Sequence, residues 1–161
     1  MARLKEKIAY ALGDAAAGGI VWKVMSIAFP LFFTNVFGLS FADAAVLMLV
    51  ARMFDVVTDP LMGTLADRTQ SRFGTYRPWL IYGAIPFGLI FALLLYTPDF
   101  GPVGKRIYAY ALYLLMMAVY TMVNVPYGSL LGVMTEDDEE KNQFSSSRMV
   151  GAYAMGFVTL L

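Results

Sequence analysis

Arg52, Asp55 and Asp59 stand inside one long apolar stretch of the chain. Spacings of three and four residues put all three on one face of a helix. Two carboxylates and a guanidinium arranged in this way could bind a small cation, carry a proton, or lock helices together as a static ion-pair network. Little else in the chain could do chemistry. It has no histidine and no cysteine, so the commonest general base and every thiolate are missing. The zinc-protease pattern HExxH and the hydrolase elbow GxSxG do not occur. The residues therefore point to binding and release rather than to catalysis, and the chain is not expected to be an enzyme.

Other polar groups fall at the same level of neighbouring apolar stretches. At about 1.5 Å per helical residue from outer ends near Phe37, Phe41 and Ile107, Asp55, Lys23 and Thr121 lie about 21 Å in, and Asn124 and Asp59 about 26 and 27 Å. Charged groups at such depth cost at least a few kcal/mol each and face a polar interior. Thr121 and Asn124 could complete a cation shell or bond sugar hydroxyls. Tyr120 shares a helical edge with Asn124, and Trp22 could stack on a pyranose ring. Lys23 and Arg52 complete a candidate charge network, in which Lys23 could pair with an aspartate as a tethered cation.

The elements that must position these residues are membrane spans. The chain is 59% hydrophobic and only 15% charged, with a mean hydropathy of +0.63. Soluble domains carry about a quarter charged residues. A span needs roughly 20 apolar residues, and the stretches 8–37, 41–65, 79–96 and 107–134 qualify. A fifth run, 149–161, is unfinished, and reads as a chain truncated inside a helix. The runs are continuous rather than alternating, so a transmembrane barrel is not expected. Twelve basic and twelve acidic residues cancel, leaving no net field for nucleic acid. Arg3, Lys5, Lys7, Arg68, Arg72, Arg77, Lys141 and Arg148 fall on one side and only Lys105 and Arg106 on the other. The bias predicts a multi-pass protein of the inner membrane with a cytoplasmic N-terminus.

The run Phe54-Asp55-Val56-Val57-Thr58-Asp59-Pro60-Leu61-Met62-Gly63 resembles the second helix of the glycoside–pentoside–hexuronide:cation symporters, the family of melibiose permease within the major facilitator superfamily. The loop 63–77 looks like this family's version of the superfamily loop motif. Tyr120-Thr121 and Asn124-Val125-Pro126-Tyr127-Gly128-Ser129-Leu130 are similar to its fourth helix. Tyr10, Gly13, Asp14, Thr34, Gly38, Leu39 and Ser40 match its first helix and exit, and Arg148 its fifth.

The resemblance implies an all-α integral membrane fold, of which residues 1–161 supply the N-terminal helix bundle: four complete transmembrane helices and the start of a fifth. It implies symport of a sugar, glycoside or hexuronide with H⁺ or Na⁺, in the lipid bilayer and without an organic cofactor. A lipid or drug substrate on the same fold, or uniport, is the alternative. The family's cation site carries over to Asp55, Asp59 and Thr121, and its sugar contact to Arg148. Gly18-Gly19, Asn124 and Gly128 depart from the pattern, replacing two sugar-binding carboxylates and a stacking tryptophan. Asp67, Arg68, Arg72 and Arg77 read as a cytoplasmic latch holding helices two and three against their neighbours.

Overall fold

The computed structural model describes residues 8, 10–13, 19–135 and 137–158. Arg3, Lys5 and Lys7 of the charge bias, Asp14 and Gly18 of the first-helix pattern, and the run beyond 158 lie outside the described residues. Among those described, the ordered elements are all helical. After a short helical stretch at 10–13 come α1, Gly19–Asn35, α2, Phe41–Arg68, α3, Arg77–Leu95, α4, Pro102–Met134, and α5, Asp138–Val158. The chain groups into two compact units. One is formed by the chain up to Phe29 with the stretch from Leu130, the other by Pro30–Ser129.

Helix boundaries follow capping chemistry as well as hydropathy. Ser40 starts α2: its Oγ accepts the Asp43 N–H at 3.0 Å, capping one otherwise orphan backbone donor, and donates to Asp43 Oδ2 at 2.7 Å. Before it the chain turns through Gly38, whose φ of +80° suits a residue without Cβ. Proline opens α3 and α4, where its missing N–H is no loss. The fifth helix begins at Asp138, upstream of the apolar run 149–161. Asp137 Oδ1 accepts the Glu139 N–H at 3.0 Å, and Asp138, Glu139 and Glu140 sit at the positive end of the helix. Hydropathy alone misses so polar a first turn.

Within α1, Val24–Ala28 is wound as a π-helix, and the Phe29 N–H bonds to the Val24 carbonyl. The wide turn lies directly before Pro30, which cannot donate to the carbonyl four residues back.

The larger unit has a definite topology. Along α2 and α4, Asp43 meets Arg106 and Tyr110, Met48 meets Tyr113, Asp59 meets Thr121, and Gly63 faces Val125. Both series ascend, so α2 and α4 are parallel. Tyr108 bonds the Leu93 carbonyl while Gly83 faces Val123, so α3 runs antiparallel to α4. An up-down-up order with short loops is what successive spans require. The core between them is aromatic and sulfur-rich: Phe33 meets Tyr113 edge-on at 5.7 Å, and Met116 and Met117 are buried beside them in sequence. In the smaller unit, Tyr10 packs edge-on against Phe144 at 5.7 Å, and Gly19 lies against Ala152 and Met155 of α5.

Of the described helices, α3 and α4 are long and apolar enough to cross a membrane. The 28 residues of α2 reach about 42 Å, but its charges set it apart from them. Its outer surface is apolar all the same, with Leu49, Met53, Val56, Val57, Leu61 and Leu65 exposed.

Gly83 sets the approach of α3 to α4. A Cβ there would stand 2.5 Å from Val123 Cγ2, whereas one at Gly88 would meet nothing within 4 Å. Gly83→Val should therefore destabilise the protein by about 1–3 kcal/mol through overpacking, while Gly88→Ala should leave it unchanged or stabilise it by about 0.5–1 kcal/mol through helix propensity. Unfolding in mild detergent checks the pair, and equal effects at both sites would refute the close approach.

Candidate functional site

The predicted residues divide between the two units. Arg52, Asp55, Asp59, Asp67, Arg68, Arg72, Arg77, Tyr120, Thr121 and Asn124 belong to the larger unit, and Trp22, Lys23 and Arg148 to the smaller.

In the larger unit, α2 carries the acidic face. Arg52 Nη1 lies 3.6 Å from Asp55 Oδ2, one helical turn along. The pair is lopsided: the Arg52 side chain is 53% exposed and that of Asp55 only 17%. Asp55 Oδ1 is buried and accepts no hydrogen bond. One turn further, Asp59 Oδ1 accepts a hydrogen bond from Thr121 Oγ1 at 2.9 Å. Thr121 is the one buried polar residue among those described, 4% exposed, and this bond joins α2 to α4. Tyr120 is buried beside it in sequence, and Asn124 is half-buried one turn on. Pro126, also buried, interrupts the α4 ladder close by.

A buried carboxylate oxygen without a donor is costly while charged. The same oxygen is well suited to receive a proton or a small hard cation, which oxygen ligands prefer. The threonine hydroxyl one turn away can donate to a carboxylate or turn its lone pairs toward a cation. No group of three or more His, Cys, Asp or Glu gathers as a metal cluster among the described residues.

In the smaller unit, Trp22 and Lys23 sit between two stretches of π-winding on α1 and are half-buried. The Lys23 stem runs over Gly156 of α5, where an added Cβ would meet Lys23 Cε at 3.2 Å. Arg148 is half-buried on α5. The structure thus joins Arg52 to Asp55, and Asp59 to Thr121, and places Lys23 against α5.

At the far end of α2, the four latch residues are exposed, and no ion pair joins them among the described residues. Asp67 is held by the Tyr76 hydroxyl, which donates to Oδ1 at 2.8 Å. Trp79 Nε1 donates to Thr69 Oγ1 at 3.1 Å, and the Arg72 guanidinium lies 4.8 Å over the Phe73 ring. Aromatic residues, not arginines, tie the end of α2 to the start of α3. Sequence reasoning missed Tyr76 because the eight positions between it and Asp67 are mostly irregular loop and carry no periodicity. It also missed the Asp43–Arg106 pair, for which a signal existed: opposite charges in the first turns of two spans that run the same way.

These features define a helical bundle of membrane-spanning type, with a polar site built across α2 and α4. The chain belongs to the MFS/sugar transport protein family, whose pattern matches residues 9–161, and within it to the glycoside–pentoside–hexuronide:cation symporter type. It is 50% identical over 151 residues to YagG of Escherichia coli (strain K12), provisionally named a glycoside/cation symporter, covering 94% of this chain and 33% of that protein. It is 44% identical over 156 residues to the inner membrane symporter YicJ of the same organism, covering 97% and 34%. It is 33% identical over 143 residues to the isoprimeverose transporter of Lactiplantibacillus pentosus, covering 89% and 30%. The chain spans about a third of the length of these curated relatives. The family and these names denote transporters rather than enzymes.

The Tyr76–Asp67 bond gives a pH-dependent expectation. The hydrogen bond, with smaller help from desolvation and the carboxylate charge, holds the Tyr76 phenol above its ordinary value of 10.0. A group whose folded-state value is raised contributes its stability below the unfolded value and loses it as pH rises through the folded one. The loop should therefore be held at neutral pH and released only above about pH 10. A spin label placed by Arg72→Cys, specific because the chain has no other cysteine, should be more mobile in Tyr76→Phe at pH 7. In the otherwise unaltered chain it should loosen only in strong alkali. Equal mobility with and without the hydroxyl would remove Tyr76 from this role.

Proposed function

We infer that this chain serves in symport of a sugar, glycoside or hexuronide across the inner membrane, driven by H⁺ or Na⁺ bound at Asp55 and Asp59. The observation that carries the inference is the buried, donor-less Oδ1 of Asp55, one helical turn from an aspartate already bridged to Thr121. A bound proton or Na⁺ would relieve that orphan oxygen and neutralise the acidic face. Neutralisation changes the cost of burying the face, and a ligand that binds two conformations unequally shifts the balance between them. Thr121 would add an oxygen to the cation shell or orient Asp59. On sequence grounds each of Tyr120, Asn124, Trp22 and Arg148 is a candidate substrate contact: the amide and the guanidinium by bonding hydroxyls or a carboxylate, the indole by stacking. Relatives named for glycosides and isoprimeverose support the substrate class. No covalent step is involved.

The membrane placement rests on the apolar α3 and α4, the exposed apolar surface of α2, and the alternating directions of the three helices. A cytoplasmic N-terminus, from the basic-residue bias, puts the Asp67 loop inside, where Asp67, Arg68, Arg72 and Arg77 would act as the latch. Tyr76 keeps the Asp67 carboxylate oriented for it.

The decisive assay is uptake of labelled glycosides and hexuronides into proteoliposomes under an imposed Na⁺ or H⁺ gradient, using the transporter that contains this sequence. Asp55→Asn and Asp59→Asn should each reduce gradient-driven accumulation at least about tenfold, equivalent to about 1.4 kcal/mol or more of coupling. Accumulation that survives both substitutions would displace the cation site from α2. Uptake indifferent to every gradient would reduce the activity to uniport.

A further inference from the structure

Where the chain enters α2 and α4, away from the aspartate site, an open cavity of about 380 Å³ lies between the turn after α1 and the first turns of α4. That volume falls in the range of small-ligand pockets, about 300–1,000 Å³. Its polar lining is Ser40, Asp43, Lys105 and Arg106, and Phe37 and Phe100 are among its apolar walls.

The acidic member is already held from several directions. Arg106 Nη2 lies 2.9 Å from Asp43 Oδ2, Ser40 caps the same carboxylate, and Tyr110 donates to the Asp43 carbonyl at 2.8 Å. The basic members are not used up. Lys105 has no carboxylate partner among the described residues, and its ammonium lies 6.0 Å over the Phe37 ring. Arg106 is 56% exposed, and a guanidinium has five donors in all. Two cations thus face one carboxylate in a wall held by hydrogen bonds, and an excess positive charge lines the cavity. Phe100, Val103 and Ile107, all more than half exposed, flank this pair along the chain. Cationic heads among exposed apolar side chains at helix ends suit the boundary between hydrocarbon and headgroups.

We propose that this cavity binds the phosphodiester of an anionic phospholipid headgroup, with Lys105 as its ion-pair partner and Arg106 as the second donor. A soluble phosphodiester offers the same chemistry, but the exposed Phe100, Val103 and Ile107 favour a ligand with acyl chains. The proposal rests on the membrane placement above and is independent of the transported substrate and the coupling ion. Its test reads no transport and so fails separately from them.

The chain in detergent is given phosphatidylglycerol or phosphatidylcholine and examined by native mass spectrometry. One phosphatidylglycerol should be retained per chain, at least about fivefold over phosphatidylcholine. Lys105→Gln should abolish that preference and Lys105→Arg should keep it, separating loss of charge from loss of fold. Lys141→Gln, whose ammonium pairs with Asp138 on α5, should have no effect. Glycerophosphoglycerol, the headgroup without chains, should fail to displace the lipid at millimolar concentration. Displacement by it would assign the site to a soluble phosphodiester. Equal retention of the two lipids, or unchanged retention in Lys105→Gln, would overturn the proposal.

Discussion

The bond from Thr121 to Asp59 ties α2 to α4: the threonine hydroxyl is buried and needs a partner, and the exposed Asp59 carboxylate supplies one. It fixes the rotation of α2 against α4, because a slip of one residue on either helix would swing Asp59 or Thr121 off the shared face. It also fixes level. Thr121 is almost completely buried, so its hydroxyl has few alternatives to Asp59. The contacts above and below fall into register with it, from Asp43 with Arg106 at one end to Gly63 with Val125 at the other.

Asp55, one turn from that bond, is the counterpoint. Arg52 approaches one of its oxygens loosely, from a side chain that is half in the open, and the other oxygen is buried with no donor. Buried polar atoms are nearly always satisfied, and Asp55 Oδ1 is the exception among the described residues, one turn from a carboxylate that is bonded. Small residues set the approach of the other helices. Gly83 admits Val123, and Gly19 and Gly156 let α1 and α5 approach closely enough for the Lys23 stem to cross. Without a hydrophobic drive between helices in lipid, such close packing is a main source of association.

The ends of the helices are built differently from their middles. At one end of α2 a serine cap, a tyrosine and an arginine converge on Asp43; at the other a tyrosine takes Asp67. These bonds lie where water competes, and each is weak alone. At the Asp43 end they tie α2 to α4, and at the Asp67 end they hold the loop that leads into α3.

Much of this was legible in the chain itself. Continuous apolar runs fixed the helical class and the positions of α2, α3 and α4 to within a few residues, because helix length and hydrophobic thickness are tied by a constant rise. Spacing alone put Arg52, Asp55 and Asp59 on one face, and helix-rise counting put Thr121 near the level of Asp55 and Asp59. Hydropathy could not find the polar start of α5, since a capped, acidic first turn carries no apolar signal. Nor could sequence tell which carboxylate is satisfied and which is left open, or that Tyr76 rather than an arginine holds Asp67. Those outcomes depend on distances of a few tenths of an ångström between residues far apart in the chain, set by how α2 and α4 rotate and slide as their side chains interlock. Periodicity places a residue on a face; only packing decides what that face meets.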